Sequence, residues 1–258
     1  MLTDTDTRRY ELKYTITEDQ AVRISEYIQN FCTLDAHVPP GESCYVVNNL
    51  YFDTPDLKFY YDTKFRKLSR FKARVRYYGL KAENLVWPEI KYRHANVVWK
   101  RRYSMPIERW SGSLNSNFIE KRPPVVKDQI DTFDDLVDWY GAGSILHVRY
   151  LREPYVSDLA EYGRITFDRQ LCYRPTNGSI ELDYQEQDMI YYDDPISSRS
   201  FDSPVVLEIK VETLVPTWVI DLVAKFNLQQ RGFSKYCYGI DNILGYNQNG
   251  RISIFDRF

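Results

Sequence analysis

The chain has 258 residues, 43% hydrophobic and 27% charged, with a mean hydropathy of -0.50; this fits one sizeable globular domain and excludes disorder and collagen-like architecture. Lys and Arg number 34 against 36 Asp and Glu, giving a net charge of -2 and an isoelectric point near 6.0. No global basic field marks a nucleic-acid coat protein, so anion binding must come from local clustering. No apolar run approaches the roughly 18 residues of a membrane-spanning helix, and the first residues lack the apolar core of a signal peptide. A soluble, cytoplasmic protein is expected. Cys32, Cys44, Cys172 and Cys237 lie far apart, and His37, His94 and His147 lack metal-ligand spacing, so neither a disulfide framework nor a zinc site is predicted.

In chain order, Tyr10–Tyr14 alternates, with Glu11 and Lys13 on one face and Leu12 on the other, and reads as a strand. Thr17 and Gln20 form a capping box for a helix with the stripe Ala21, Ile24, Ile28 and Phe31. The stretch His37–Ser43 reads as a loop. Asp53 and Thr54 before Pro55 read as a strand-to-turn junction. Lys72, Arg74 and Arg76 share one face, opposite Ala73, Val75 and Tyr77. Glu89, Lys91 and Arg93 alternate with Ile90 and Tyr92, and Lys100 and Arg102 with Arg101 and Tyr103.

Ser111–Asn117 reads as a loop. A second helix is predicted from about Lys127, with Ile130, Phe133, Leu136, Val137 and Tyr140 on one face and Gly141 as its stop. Arg164, Thr166 and Asp168 alternate with Ile165 and Phe167, and Glu208, Lys210 and Glu212 with Leu207, Ile209 and Val211. Arg174–Gly178 and Asp193–Pro204 read as loops. A third helix follows Pro216, with Val219, Leu222, Val223 and Phe226 as its stripe. A fourth starts at Ser234 as N-cap and ends near Gly245. All of these connections suit one domain over 1–258, with a core of about 8–245.

One half-buried strand of this kind would normally turn its charges to water. Taken together, the strands read differently, because helices with strong apolar stripes need an apolar sheet face to cover. A sheet curled with that face outward carries its charges inside. Lys13, Lys72, Arg74, Arg76, Lys91, Arg93, Lys100, Arg102, Arg164 and Lys210 would then face Glu11, Glu89, Asp168, Glu208 and Glu212, an excess of five positive charges. Enclosed uncompensated charge costs several kcal/mol per ion, so a wet lumen must take up an anion. Arg and Lys suit phosphate oxygens, and carboxylates beside them suit Mg²⁺ or Mn²⁺. A polyphosphate-type ligand with a divalent metal is expected.

Six segments in order carry a resemblance: Arg9-Tyr10-Glu11-Leu12-Lys13-Tyr14, Leu50-Tyr51-Phe52-Asp53-Thr54, Lys72 to Gly79, Glu89-Ile90-Lys91, Val206 to Lys210, and Phe233-Ser234-Lys235-Tyr236. From about Arg8 to Gly245 the chain resembles the VTC domain, the polyphosphate polymerase domain of the vacuolar transporter chaperone complex. That domain belongs to the triphosphate tunnel metalloenzyme, or CYTH-like, superfamily. The resemblance implies an α+β fold, a closed antiparallel β tunnel with flanking helices. It also implies an ATP-dependent transferase that adds the γ-phosphate to a growing polyphosphate chain, with Mn²⁺ or Mg²⁺ as cofactor.

Carried over by motif, Arg74, Arg76, Lys91, Arg152 and Glu208 would be catalytic. Lys13, Lys100, Arg102, Arg164, Lys210, Lys235 and Ser234 would bind phosphate, the last two at a helix N-terminus. Glu208 would hold the metal, with Glu11 and Glu89 as further candidates and Asp168 in the same acidic set. The chain departs from the fungal pattern at Gly232, where that pattern has a lysine, with Arg231 beside it. Neither an inositol-phosphate-sensing SPX domain nor a membrane domain is read in these residues, so regulation and export, if they exist, are expected to come from a separate membrane or regulatory partner. Rival readings are a triphosphatase of the same superfamily, in which water accepts the phosphate, and a non-catalytic polyphosphate- or nucleotide-binding module. A nucleic-acid binder is disfavoured by the isoelectric point. Trp87, Trp99, Trp110 and Trp218 are read as packing residues rather than an adenine platform, and no adenine contact is assigned.

Overall fold

The computed structural model describes residues 10–95, 97–113, 132–157, 163–184, 186–192, 205–211, 215–230 and 233–245. Its elements in chain order are β1 (Tyr10–Ile16), α1 (Glu18–Ile28), β2 (Cys32–Leu34), β3 (Tyr45–Asp53), α2 (Lys58–Lys64), β4 (Ser69–Tyr78), β5 (Leu85–His94), β6 (Val97–Arg102), β7 (Met105–Pro106) and α3 (Ile107–Ser113). They continue with α4 (Phe133–Tyr140), β8 (Gly143–Ser157), β9 (Gly163–Pro175), β10 (Ile190–Tyr191), β11 (Val205–Val211), α5 (Thr217–Lys225) and α6 (Lys235–Ile243). Among the described residues no helix is long and apolar enough to cross a membrane.

One antiparallel sheet runs in the order β1-β11-β9-β8-β3-β4-β5-β6, with β2, β7 and β10 attached at its margins. No strand ladder joins β1 to β6 among the described residues. The sheet curls until side chains of β1 and β5 meet: Lys91 Nζ lies 2.6 Å from Glu11 Oε2. The expected tunnel is therefore present, its seam bridged by an ion pair.

Beneath the flanking helices the outer face is apolar and covered, as the helix stripes required. Ala21, Ile24 and Ile28 of α1 and Trp218, Val219 and Leu222 of α5 pack on Tyr14, Ile165, Phe167, Leu207 and Ile209. Each fully buried Ile contributes about 1.5–3 kcal/mol. Around the barrel, Trp110 of α3 and Phe133, Leu136 and Val137 of α4 cover Leu50, Phe52, Ala73, Val75 and Ile90. The capping box of α1 forms as expected: the Thr17 hydroxyl accepts from the Gln20 amide and the Gln20 side chain from Thr17. Helix α4 has the same device with Thr132 and Asp135, and ends on Gly141 at φ 57. The expected start of that helix at Lys127, with Ile130, lies outside the described residues. So do Glu212, Arg231, Gly232 and the expected loop Asp193–Pro204. The expected loop from Ser111 is corrected in part, since α3 continues to Ser113.

The sixth helix departs from the flanking arrangement. Tyr236, Cys237 and Ile240 of α6 pack on Tyr51, Leu146, Val148, Tyr150, Leu171, Tyr173 and Val206. Tyr51 and Tyr150 alternate in register with the charged inner row, so α6 fills part of the barrel interior. A bulge in β9 makes room for it. Gln170, at φ 49, is an extra residue between the partners of Leu151 and Arg149. The extra residue turns Leu171 and Tyr173 to the same side as Asp168.

Candidate functional site: a cationic chamber

Within the barrel, ten cations (Lys13, Lys72, Arg74, Arg76, Lys91, Lys100, Arg102, Arg152, Lys210 and Lys235) accompany four carboxylates (Glu11, Glu89, Asp168 and Glu208). The excess is six positive charges. Three centres organise them.

Glu89, 1% exposed, gathers four cations from the two strands that flank it. Arg74 Nη2 lies 2.6 Å and Arg76 Nη2 3.9 Å from its Oε2, while Lys100 Nζ lies 3.1 Å and Arg102 Nε 3.5 Å from its Oε1. The register explains the convergence, because Arg74 and Arg102 are the cross-strand partners of Glu89 on β4 and β6. Burial opposes ionisation of Glu89, yet the four cations hold its carboxyl well below the usual range. Arg74 Nη1 also donates to Tyr51 Oη at 3.3 Å, and Arg76 Nε to Asn49 Oδ1 at 3.0 Å.

Asp168, fully buried, accepts two hydrogen bonds from Arg152, at 2.7 and 2.8 Å, and one from Lys235 Nζ at 2.6 Å. Against the effect of burial, these partners hold its carboxyl down at about 2. Lys235 is the first residue of α6, whose N-cap Ser234 accepts from the Cys237 amide at 3.3 Å and from Lys72 Nζ at 2.7 Å. Both Arg152 and Lys235 lie over the ring of Tyr150, 5.3 and 4.6 Å from its centroid.

Glu208 is different. Lys210, Lys13 and Arg152 stand 3.5, 3.8 and 3.9 Å from its oxygens, at or beyond hydrogen-bond length. Burial acts against ionisation, but these charges keep the carboxyl well below the usual range, and Glu208 in turn raises Lys13. Glu11 lies diagonally across from it on β1, opposite Lys210. Burial brings Lys91 and Lys100 down to about 8, so two of the ten cations titrate near physiological pH.

Of the residues picked from sequence, the chamber brings together Lys13, Arg74, Arg76, Lys91, Lys100, Arg102, Arg152, Glu208, Lys210, Ser234 and Lys235, with Glu11, Glu89 and Asp168. Arg164 shares the inward row of β9 but is exposed toward a mouth. There, with hydrogen bonds from His37, it holds the Asp35 carboxyl below its usual value against burial. Arg93 is likewise exposed. Lys72, Asn49, Tyr51 and Tyr150 were not singled out as site residues; the last three carry no charge and gave no signal. Asp53 has a structural role, accepting from the amides of Thr54, Phe59 and Tyr60 and from the Tyr236 hydroxyl. Trp110 and Trp218 are buried on the outer face, and Trp99 stacks on Tyr92 outside the barrel. Trp87 alone of the four shares the lumen row of Glu89.

Among the described residues no three His, Cys, Asp or Glu side chains converge to cage a metal. A hard divalent cation that arrives with phosphate needs only one or two carboxylates. Glu208, with uncommitted oxygens, and its neighbour Glu11 fit that role by donor chemistry. Glu89, spent on four cations, does not.

A family model described as "VTC domain" matches residues 8–244. Curated proteins give no sequence match. Among solved structures, a "putative adenylate cyclase" from Bacillus halodurans is similar over 87% of this chain and 92% of its own, with 12% identity and a TM-score of 0.48. One of the same description from Vibrio parahaemolyticus covers 90% and 98%, at 12% identity and a TM-score of 0.44. A Pyrococcus horikoshii protein covers 91% and 99%, at 12% identity and a TM-score of 0.41.

Proposed function

The chain belongs to the VTC domain family, and from that premise we propose that its chamber transfers the γ-phosphate of ATP to the end of an inorganic polyphosphate chain. The observation that carries this reading is the excess of six cations over carboxylates in an enclosed lumen. Such a field has no use for a neutral substrate and costs free energy until a polyanion enters.

Phosphoryl transfer depends on positioning and charge stabilisation more than on covalent help. In the proposed mechanism, Arg74 and Arg76, fixed by Glu89, and Arg152, fixed by Asp168, neutralise the transferring group. Lys91, Lys100 and Arg102 add to that field. Lys13, Lys210, Lys235 and Ser234 hold the acceptor chain or the departing diphosphate. Glu208 with Glu11 would hold Mg²⁺ or Mn²⁺, which would supply positive charge to offset that of the phosphates. The terminal oxygen of polyphosphate attacks the γ-phosphorus, the bond to the β-phosphate oxygen breaks, and ADP leaves with that electron pair.

A phosphate acceptor, unlike water, arrives already ionised and needs no proton removed before attack. The test is incubation of the protein with ATP and Mn²⁺, with separation of polyphosphate by gel and quantification of ADP and free phosphate. ADP with a phosphate ladder is expected. Equimolar ADP and phosphate would make the protein a triphosphatase, and bound but unreacted ATP would make it a binding module.

A further inference from the structure

Three aromatic side chains interrupt the charged lumen face on adjacent strands: Tyr45 of β3, Tyr78 of β4 and Trp87 of β5. Tyr45 and Tyr78 meet edge-on with centroids 5.7 Å apart, Tyr78 and Trp87 likewise at 5.1 Å, and the Arg102 guanidinium lies 5.2 Å over the Trp87 ring. All three rings are half-buried. Tyr45 and Tyr78 border the core around α6, while Trp87 joins none of the three apolar cores. The charged neighbours of these rings are those of the chamber: Arg152 acts on Tyr45, and Arg76 and Arg102 on Tyr78.

A phosphate chain gains nothing from an aromatic face, whereas a nucleobase stacks on one. We infer that Trp87, Tyr78 and Tyr45 form the base platform for a nucleoside triphosphate whose phosphates enter the chamber. This rests on the reading of the chamber as a triphosphate site and adds what tells a nucleotide from inorganic tripolyphosphate. The spacing follows the strand, since Tyr78, Arg76 and Arg74 stand on one face of β4 at steps of about 6.6 Å. A base at Tyr78 and Trp87 therefore sends its phosphates past Arg76 to Arg74. The platform offers ring faces and a guanidinium plane, so it favours a base over no base more than one base over another.

Calorimetric titration of ATP, GTP and inorganic tripolyphosphate into the wild-type protein, Trp87→Ala and Trp87→Phe tests this. Trp87→Ala is expected to weaken ATP and GTP by about ten-fold and to leave tripolyphosphate unchanged, and Trp87→Phe to restore most of the loss. If Trp87→Ala does not fold, Trp87→Leu keeps apolar bulk without a π-face and replaces it. Equal weakening of ATP and tripolyphosphate, or no change in ATP, overturns the platform and leaves the chamber reading standing. A wild-type protein that binds neither triphosphate overturns both.

Discussion

Glu89 and Glu208 are buried carboxylates, 1% and 6% exposed, on the inner face of the same sheet, and surrounding cations hold both well below the usual carboxylate range. Their contacts differ. Glu89 has Arg74 and Lys100 at 2.6 and 3.1 Å with Arg76 and Arg102 behind them, while among the described residues no cation approaches Glu208 closer than 3.5 Å. Glu89 is spent on keeping like charges together, and Glu208 has lone pairs to offer. A tunnel for polyanions needs both: one carboxylate that makes the empty cationic chamber tolerable, and one that is available when phosphate arrives.

The largest expected effect separates the two by activity. Glu208→Gln should lower ATP-dependent ADP formation by about 100-fold or more, with little change in the melting temperature. An ADP assay across a Mn²⁺ series measures it, and wild-type turnover would break the assignment. Glu89→Gln should act first on stability. Removing the partner of a buried charge cluster costs about 3–5 kcal/mol, so the melting temperature should fall sharply in anion-free buffer and recover with tripolyphosphate. If Glu208→Gln proves the less stable of the two, the comparison is reversed.

The difference between these carboxylates was not legible in the sequence, although their shared face was. Strands β1, β4, β5 and β11 announce themselves because charged and apolar residues alternate, as in Lys72-Ala73-Arg74-Val75-Arg76. The inner rows of β3 and β8, such as Val47, Asn49 and Tyr51 or Leu146, Val148 and Tyr150, gave no such contrast. Helix α6 covers part of them from inside, so these inner rows are largely apolar and the charge contrast is lost. Bulges also break the period: Gln170 adds a residue to β9, and Ile145 adds one to β8 between the partners of Tyr51 and Phe52. Helix α2 carried no local cap signal, since its first amides are satisfied by Asp53 from the end of the preceding strand.

A smaller effect comes from pH. Lys100 serves the Glu89 centre and Lys91 the Glu11 side, and burial lowers both to about 8. From pH 7 to 9 the chamber loses positive charge, so tripolyphosphate affinity should fall several-fold, read by calorimetry. The bare fold should respond with the opposite sign. Both lysines lose protons near pH 8 when folded and near 10.4 when unfolded, so between those values the unfolded chain binds more protons and stability rises with pH. Lys100→Met and Lys91→Met would assign the change to one centre or the other.

The smallest expected effect concerns a third kind of partner. Lys72 has a hydroxyl where other lumen cations have carboxylates, donating to Ser234 Oγ, and burial lowers its own pKa. Ser234 also caps α6, so its loss to Ala confounds two effects, one of them a cap worth about 1 kcal/mol. Ser234→Asp separates them. Asp caps a helix about as well as Ser but gives Lys72 a charged partner, turning a cation available to ligand into one already paired. The melting temperature should hold or rise slightly while tripolyphosphate affinity falls a few-fold. Unchanged affinity would mean that Lys72 serves the seating of α6 and contributes nothing to the field that the polyanion meets.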